Sequence, residues 1–214
     1  MTWVEELLSI SSGPLAQAPP DSPDLLTNYP LGPELMSILQ RKNGFYAFES
    51  ALHVFPLTSS VVPGATLAEW NSDLLWRSEY GDLTTGMLFF AENILQDQFC
   101  ISASGVLRFD AETGGTKPMA DSVESWAEII LRDYDREVGW TFANKWQAEN
   151  GPIPPGKRLM PTIPFFLGGS YSTENLWAGD AVEGMLLKAD LAIQTRNLPD
   201  GTQVRIVLEK KPPH

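Results

Sequence analysis

Asp110 and Glu112 stand two residues apart, where the apolar run GVLRF ends in the turn DAETGG. A pair of carboxylates is the minimum set for glycoside hydrolysis, one as general acid, the other as base or nucleophile. Glu79, Glu92 and Asp97 are the acids that could fall near them. Turns use the same residue types. An Asp at a strand end caps the turn through its side chain, and a Glu beside it faces solvent. That is the expectation for Asp110 and Glu112, and no catalytic residue is assigned.

Other chemistries are thinly equipped. The chain has two histidines, His53 and His214. His53 lies in the apolar stretch ALHVF, where a hydrogen-bonded structural imidazole is expected rather than a base. The single cysteine, Cys100, excludes an internal disulfide and any multi-cysteine metal centre. It falls in QFCIS, and a buried, inert thiol is expected. GGTKP at 114–118 has the wrong spacing for a phosphate loop, and Gly168-Gly169-Ser170 lacks the second flank of a nucleophile elbow. No metal and no cofactor are expected. The segment DYDRE, Asp133 to Glu137, mixes signs at one-turn spacing and reads as a solvated helical face. Trp126, Trp140 and Trp146 fit helical stripes and are expected in the core. Trp76 and Trp177 sit near element ends, where an indole is either a lid over the core or an interface anchor, and core is the expectation for each.

Charge is the strongest feature of the composition. Fifteen basic residues face 27 acidic ones, a net −12, and only Arg41, Lys42 and Arg77 precede Arg108. Such a chain repels a phosphate backbone, so direct nucleic-acid binding is disfavoured. A negative surface serves solubility, and it also suits a basic partner met by charge complementarity. No apolar run reaches the length of a membrane span. MTWVEELLSI has no basic leader region, so no secretory signal is expected. With one cysteine, that points to a reducing compartment, the cytoplasm.

These residues need elements to position them. Trp3, Val4, Leu7 and Leu8 recur at helical spacing, and a proline-rich wrap follows from Ser11 to Pro33. Gly32-Pro33-Glu34 starts a helix that Asn43-Gly44 ends. GFYAFESALHVFPL fits a strand or a short helix equally well. Ala65 to Tyr80 reads as one helix, with Leu67, Trp70, Leu74 and Leu75 on a shared face and Gly81 closing it. MLFFAE, QFCIS and GVLRFD form an antiparallel meander that ends at the turn AETGGTKP. Phe89, Phe90, Phe99, Ile101, Val106 and Trp126 are its expected core. Ser122 caps a helix with Val123, Trp126, Ile129, Ile130 and Tyr134 as its buried stripe. A further helical piece covers Trp140 to Glu149. The proline-rich GPIPPGKRLMPTIP then marks a boundary, and Val204, Ile206 and Leu208 alternate as a final strand after the Pro199-Asp200-Gly201 turn. The predicted class is α+β: N-terminal helices, a central antiparallel sheet covered by a helix, and a C-terminal α+β extension. The predicted divisions are 1–31, a helix and proline-rich wrap; 32–150, the core; and 151–214, the extension.

LFFAENILQDQFCI, GVLRFDAETG and the helix opened by SVESW together resemble the SUKH superfamily. That superfamily joins bacterial toxin-immunity proteins to the fungal cell-wall-assembly regulators and the SecY-interacting protein Syd. The matching residues are Phe89, Phe90, Ala91, Glu92, Gln98, Phe99, Val106, Asp110, Glu112, Thr113, Gly114 and Trp126, preceded by Asn43-Gly44, Phe45 and Ala47. The likeness runs from about Gly32 to Leu131, and PFFLGGSYSTENLW and LPDG look like an extension of longer bacterial members. The resemblance implies a cytoplasmic immunity protein, not an enzyme, that binds and blocks a cognate toxin. The toxin would be a basic nuclease or other nucleic-acid-modifying effector. A scaffold or regulatory binding module of the same fold is the alternative. Contact residues vary with the toxin, so none carries over. The charge pattern supplies candidates instead. Asn43 to Leu107 holds seven acids against Arg77 alone. If Trp70's helix lies beside the meander, Asp73, Glu79, Asp82, Glu92 and Asp97 line one concave face, with Trp76 as an aromatic anchor for the toxin.

Overall fold

A computed structural model of the chain describes residues 1–16, 24–57, 66–199 and 201–204. Its class is α+β. The sheet has six antiparallel strands in sequence order: β1 (Phe45–Ala47), β2 (Leu52–Val54), β3 (Leu88–Asn93), β4 (Gln98–Ser102), β5 (Gly105–Phe109) and β6 (Thr116–Ala120). The expected meander is thus its centre. GFYAFESALHVFPL forms the β1–β2 hairpin, with Tyr46 opposite His53. The sequence reading ends the sheet at the turn before β6. The structure adds that strand at the edge, where Pro118 is tolerated because an edge strand need not donate on its outer side.

Successive strand residues point to opposite faces, so β3 is buried on both. Phe89 meets Trp76 and Phe109 on one side, and Phe90 meets Trp126 on the other. All six predicted core residues are buried. Replacing such a Phe or Trp by Ala costs about 3–5 kcal/mol.

Helices α1 (Trp3–Ile10), α2 (Asp24–Thr27) and α3 (Gly32–Arg41) precede the sheet. The Thr2–Glu5 capping box starts α1. Helix α6 (Val123–Arg132) covers the Phe90 face, and α1 packs on it. Its Glu124 carboxylate accepts from the Trp3 and Val4 amides, placing negative charge at the start of α1. Ser122 caps α6 as expected, accepting from the Ser125 amide. Val123, Trp126 and Ile130 are buried, Ile129 is half-buried and Tyr134 is exposed.

The other face is covered by residues 67–84, which are not one helix. Helix α4 (Leu67–Trp70) stops at Asn71, a π-helical turn spans Asp73–Arg77, and α5 (Ser78–Tyr80) and a 3-10 turn (Gly81–Thr84) follow. The Asn71 side chain causes the break. Its amide donates to the Leu67 and Phe89 carbonyls at 2.9 and 2.8 Å and its oxygen accepts from the Phe89 amide at 2.8 Å. A short polar side chain here replaces helical bonding with a clasp on β3. The phase shift leaves Leu74 96% exposed and Trp76 fully buried, against the expected shared face.

After α7 (Tyr134–Val138) and α8 (Trp140–Asn150), strands β7 (Lys157–Pro161) and β8 (Leu176–Asp180) pair antiparallel, and α9 (Ala181–Thr195) packs on them. The sequence reading assigns no helix over 181–195. Asp180 caps it, accepting from the Val182 and Glu183 amides. Of the expected final strand, Val204 is not in a strand, and Ile206 and Leu208 lie outside the described residues. No helix among the described residues is long and apolar enough to cross a membrane.

Candidate functional site

The β3–β4 turn and the turn after β5 open at the same end of the sheet. Asn93 organises the first, its Oδ1 accepting from the Leu95 and Asp97 amides at 3.0 and 2.9 Å. Asp110 organises the second, its Oδ1 accepting from the Glu112 and Thr113 amides at 2.9 and 3.2 Å. This is the turn cap expected for Asp110. Tyr80 braces the same turn from below, donating to the Ala111 carbonyl at 2.6 Å.

The segment 164–171 closes over these turns. Its Phe166 amide donates to Glu112 Oε2 at 3.1 Å. Phe165 and Tyr171 stack with centroids 4.1 Å apart and planes 6° off parallel. A cleft of about 410 Å³ remains, lined by Asp97, Arg108, Asp110, Glu112, Phe142 and Tyr171 among others. Arg108 joins its walls: Nη2 lies 2.6 Å from Asp97 and Nη1 lies 3.1 Å from Glu137.

Glu112 corrects an expectation. It does not face solvent but is 7% exposed, and its Oε1 accepts no hydrogen bond among the described residues. Burial raises its pKa, reinforced by Asp110 and Asp97 and opposed by Lys188 and the Phe166 amide. The Tyr171 phenol is also pushed up, by burial and then by Glu112, Asp97 and Asp110. Behind Glu112 lies a second, mainly apolar groove of about 280 Å³ between α9 and the β7–β8 hairpin, with Lys188, Leu187 and Trp177 on its walls. The Lys188 ammonium is buried and donates to the Leu95 carbonyl, and burial lowers its pKa.

The structure divides the residues that sequence charge brought together. Asp73, Glu79 and Asp82 are exposed on the 73–84 segment, and Asp82 accepts from both Arg196 Nη atoms at 2.7 and 3.2 Å. Asp97 belongs to the cleft. Glu92 does not reach the surface. It is 2% exposed, with Arg158 Nε at 2.7 Å and His53 Nδ1 at 3.1 Å. Burial alone would raise its pKa, but Arg158 and His53 outweigh that and hold it below the usual carboxylate range. His53 is therefore the hydrogen-bonded structural imidazole expected. Trp76 is fully buried against Trp70, Tyr80 and Phe89 and is no surface anchor. Among the aromatic rings lining the cleft, Tyr171 is the exposed one, at 69%.

The cleft has acids on its floor and aromatic rings on its wall. Each acid already has a structural duty: Asp97 on Arg108, Asp110 on its turn, Glu112 on the Phe166 amide, Asp135 on the Thr141 amide. Among the described residues no group of three His, Cys, Asp or Glu is placed to hold a metal ion. A carboxylate floor with π faces beside it suits a cation. Sequence reasoning flagged Asp110 and Glu112 through their spacing but missed Lys188, Phe165 and Tyr171 as their neighbours. Only contacts between distant segments reveal those.

No family model matches the chain, and no curated protein matches it. The crystal structure of Atu4351 from Agrobacterium tumefaciens is similar to it, with a TM-score of 0.57 over 87% of this chain and 88% of that one, at 12% sequence identity. At that identity the likeness concerns the fold alone.

Proposed function

We propose that this chain is an immunity protein of the SUKH kind, working in the cytoplasm. It neutralises a basic toxin, a nuclease or other nucleic-acid-modifying effector, by direct stoichiometric binding. The observation that carries this reading is the acid-floored, aromatic-walled cleft on a chain of net charge −12. A protein of that charge is steered toward a basic surface, and its carboxylates can stand in for the phosphates such a toxin seeks. Asp73, Glu79 and Asp82 add exposed negative charge on another segment. The sequence resemblance points the same way.

Co-expression with the product of the adjacent gene tests the proposal. The expected result is growth arrest by that product alone, rescue by this chain, and co-purification at one to one. A toxic neighbour left unbound, with no rescue, overturns it. A bound neighbour that is harmless alone assigns the chain to the scaffold class instead.

A further inference from the structure

We infer that the cleft between the β3–β4 turn, the Asp110–Gly115 turn and the Phe165–Tyr171 segment receives one arginine side chain of the protein partner. The identity of that partner rests on the proposed function. The chemistry of the pocket rests on its own geometry.

Three observations converge. Glu112 is more than nine-tenths buried, lines the cleft, and leaves Oε1 without a hydrogen-bond partner among the described residues. A buried carboxylate oxygen left unpaired is costly, and an incoming N–H donor removes that cost. The second observation is shape. Tyr171 and Phe165 present a stacked pair of rings beside the acids, with Tyr171 at the rim. A guanidinium is planar and weakly hydrated, so it stacks on a ring while its fork donates to carboxylates; an ammonium does not. The third is size: about 410 Å³ falls in the range of small-ligand sites, about 300–1,000 Å³.

The residues facing Glu112 set the pH dependence. Asp97 reaches it from the β3–β4 turn, Asp110 from its own turn, Lys188 from α9 and Tyr171 from the covering segment, with Arg108 on the wall. Lys188 offsets one charge, Arg108 is shared between Asp97 and Glu137, and α7 adds Asp135 and Arg136, whose charges offset each other. Asp110 has no side-chain cation among its hydrogen bonds, so the floor stays negative. Glu112 is charged only above its raised pKa, so arginine binding strengthens as pH rises through that value.

The test uses the full chain and Nα-acetyl-arginine methylamide, followed by amide chemical shifts. The expected result is saturable binding, with shifts centred on Glu112, Gly114 and Tyr171. Glu112→Gln should weaken it about tenfold, the value of a charge-assisted hydrogen bond. Tyr171→Ala should weaken it about threefold, the value of an exposed cation–π contact. The lysine analogue should bind more weakly than arginine. If Glu112→Gln does not fold, Tyr171→Ala decides, because that ring is exposed. No saturable shift, or equal binding by the native chain and Tyr171→Ala, overturns the inference. A chain that rescues growth without binding the arginine probe loses the pocket and keeps the immunity reading. One that binds the probe but no toxin loses the immunity reading and keeps the pocket.

Discussion

Arg158 Nε lies 2.7 Å from Glu92 Oε1, each side chain only 2% exposed, and this pair joins β7 to the centre of the main sheet. His53 completes the cluster at 3.1 Å, and Tyr46 lies under the Arg158 guanidinium at 5.4 Å. The β7–β8 unit is therefore fastened to the main sheet through a buried ion pair.

Removing one member should cost more than removing both. Arg158→Met leaves Glu92 charged and buried, and should destabilise the chain by about 3–5 kcal/mol. The double variant Arg158→Met, Glu92→Leu should recover much of that loss. Urea unfolding of the four forms of this cycle gives the coupling; additive losses would show that the pair is not coupled.

Acid should weaken the fold through the same cluster. Burial pushes His53 down from 6.5 to about 4. Between those values the unfolded chain binds a proton that the folded chain refuses, so stability falls as pH falls. The full contribution is roughly 3 kcal/mol. Glu92 acts in the same direction, since its folded pKa is lowered and its stabilisation is lost as pH drops through that value. Glu112 acts in opposition, since its pKa is raised and protonation relieves its burial. His53→Gln should flatten the decline in unfolding midpoint between pH 6.5 and 4.5. A native chain equally stable at both ends of that window contradicts this account.

Gly169 should tolerate no side chain. A Cβ there would overlap the Ile163 carbonyl, and its amide already donates to Pro164 at 3.0 Å. Gly169→Ala should lose about 1–3 kcal/mol, as overpacked sites do, and should displace Tyr171. Thermal unfolding and the amide shift of Tyr171 report the two effects. A melting point and shift equal to those of the native chain would refute the assignment.

Charge steering should reside on the 73–84 segment. Asp73→Lys, Glu79→Lys and Asp82→Lys together should slow association with a basic toxin about tenfold at low salt, and the gap should close as salt rises. Circular dichroism checks that the fold survives, since the Asp82–Arg196 pair is lost. Stopped-flow rates that match the native chain across a salt series place the encounter surface elsewhere.

The sequence by itself determined the class, the meander and its core. Alternating aromatics in MLFFAE, QFCIS and GVLRFD and the stripe after Ser122 are local patterns, and burial of an apolar face follows from them with little help. It also singled out Asp110 and its turn, because an Asx cap is made within four residues. Tertiary structure decided the rest. Asn71 broke a helix whose periodicity was intact, because its partner, Phe89, lies 18 residues away. Glu92 and Asp97 look alike as acids five positions apart. One meets Arg158, which lies 66 residues on, and is sealed beneath the sheet; the other meets Arg108 and lines a cleft. Helix α9 hid because its apolar positions wrap around it with a polar Lys188 among them, and the partner that this buried lysine reaches, the Leu95 carbonyl, lies 93 residues earlier. Charge and hydropathy fix which residues seek burial or water. Which carboxylate receives a cation, and which stays open to a partner, depends on contacts that close across the whole chain.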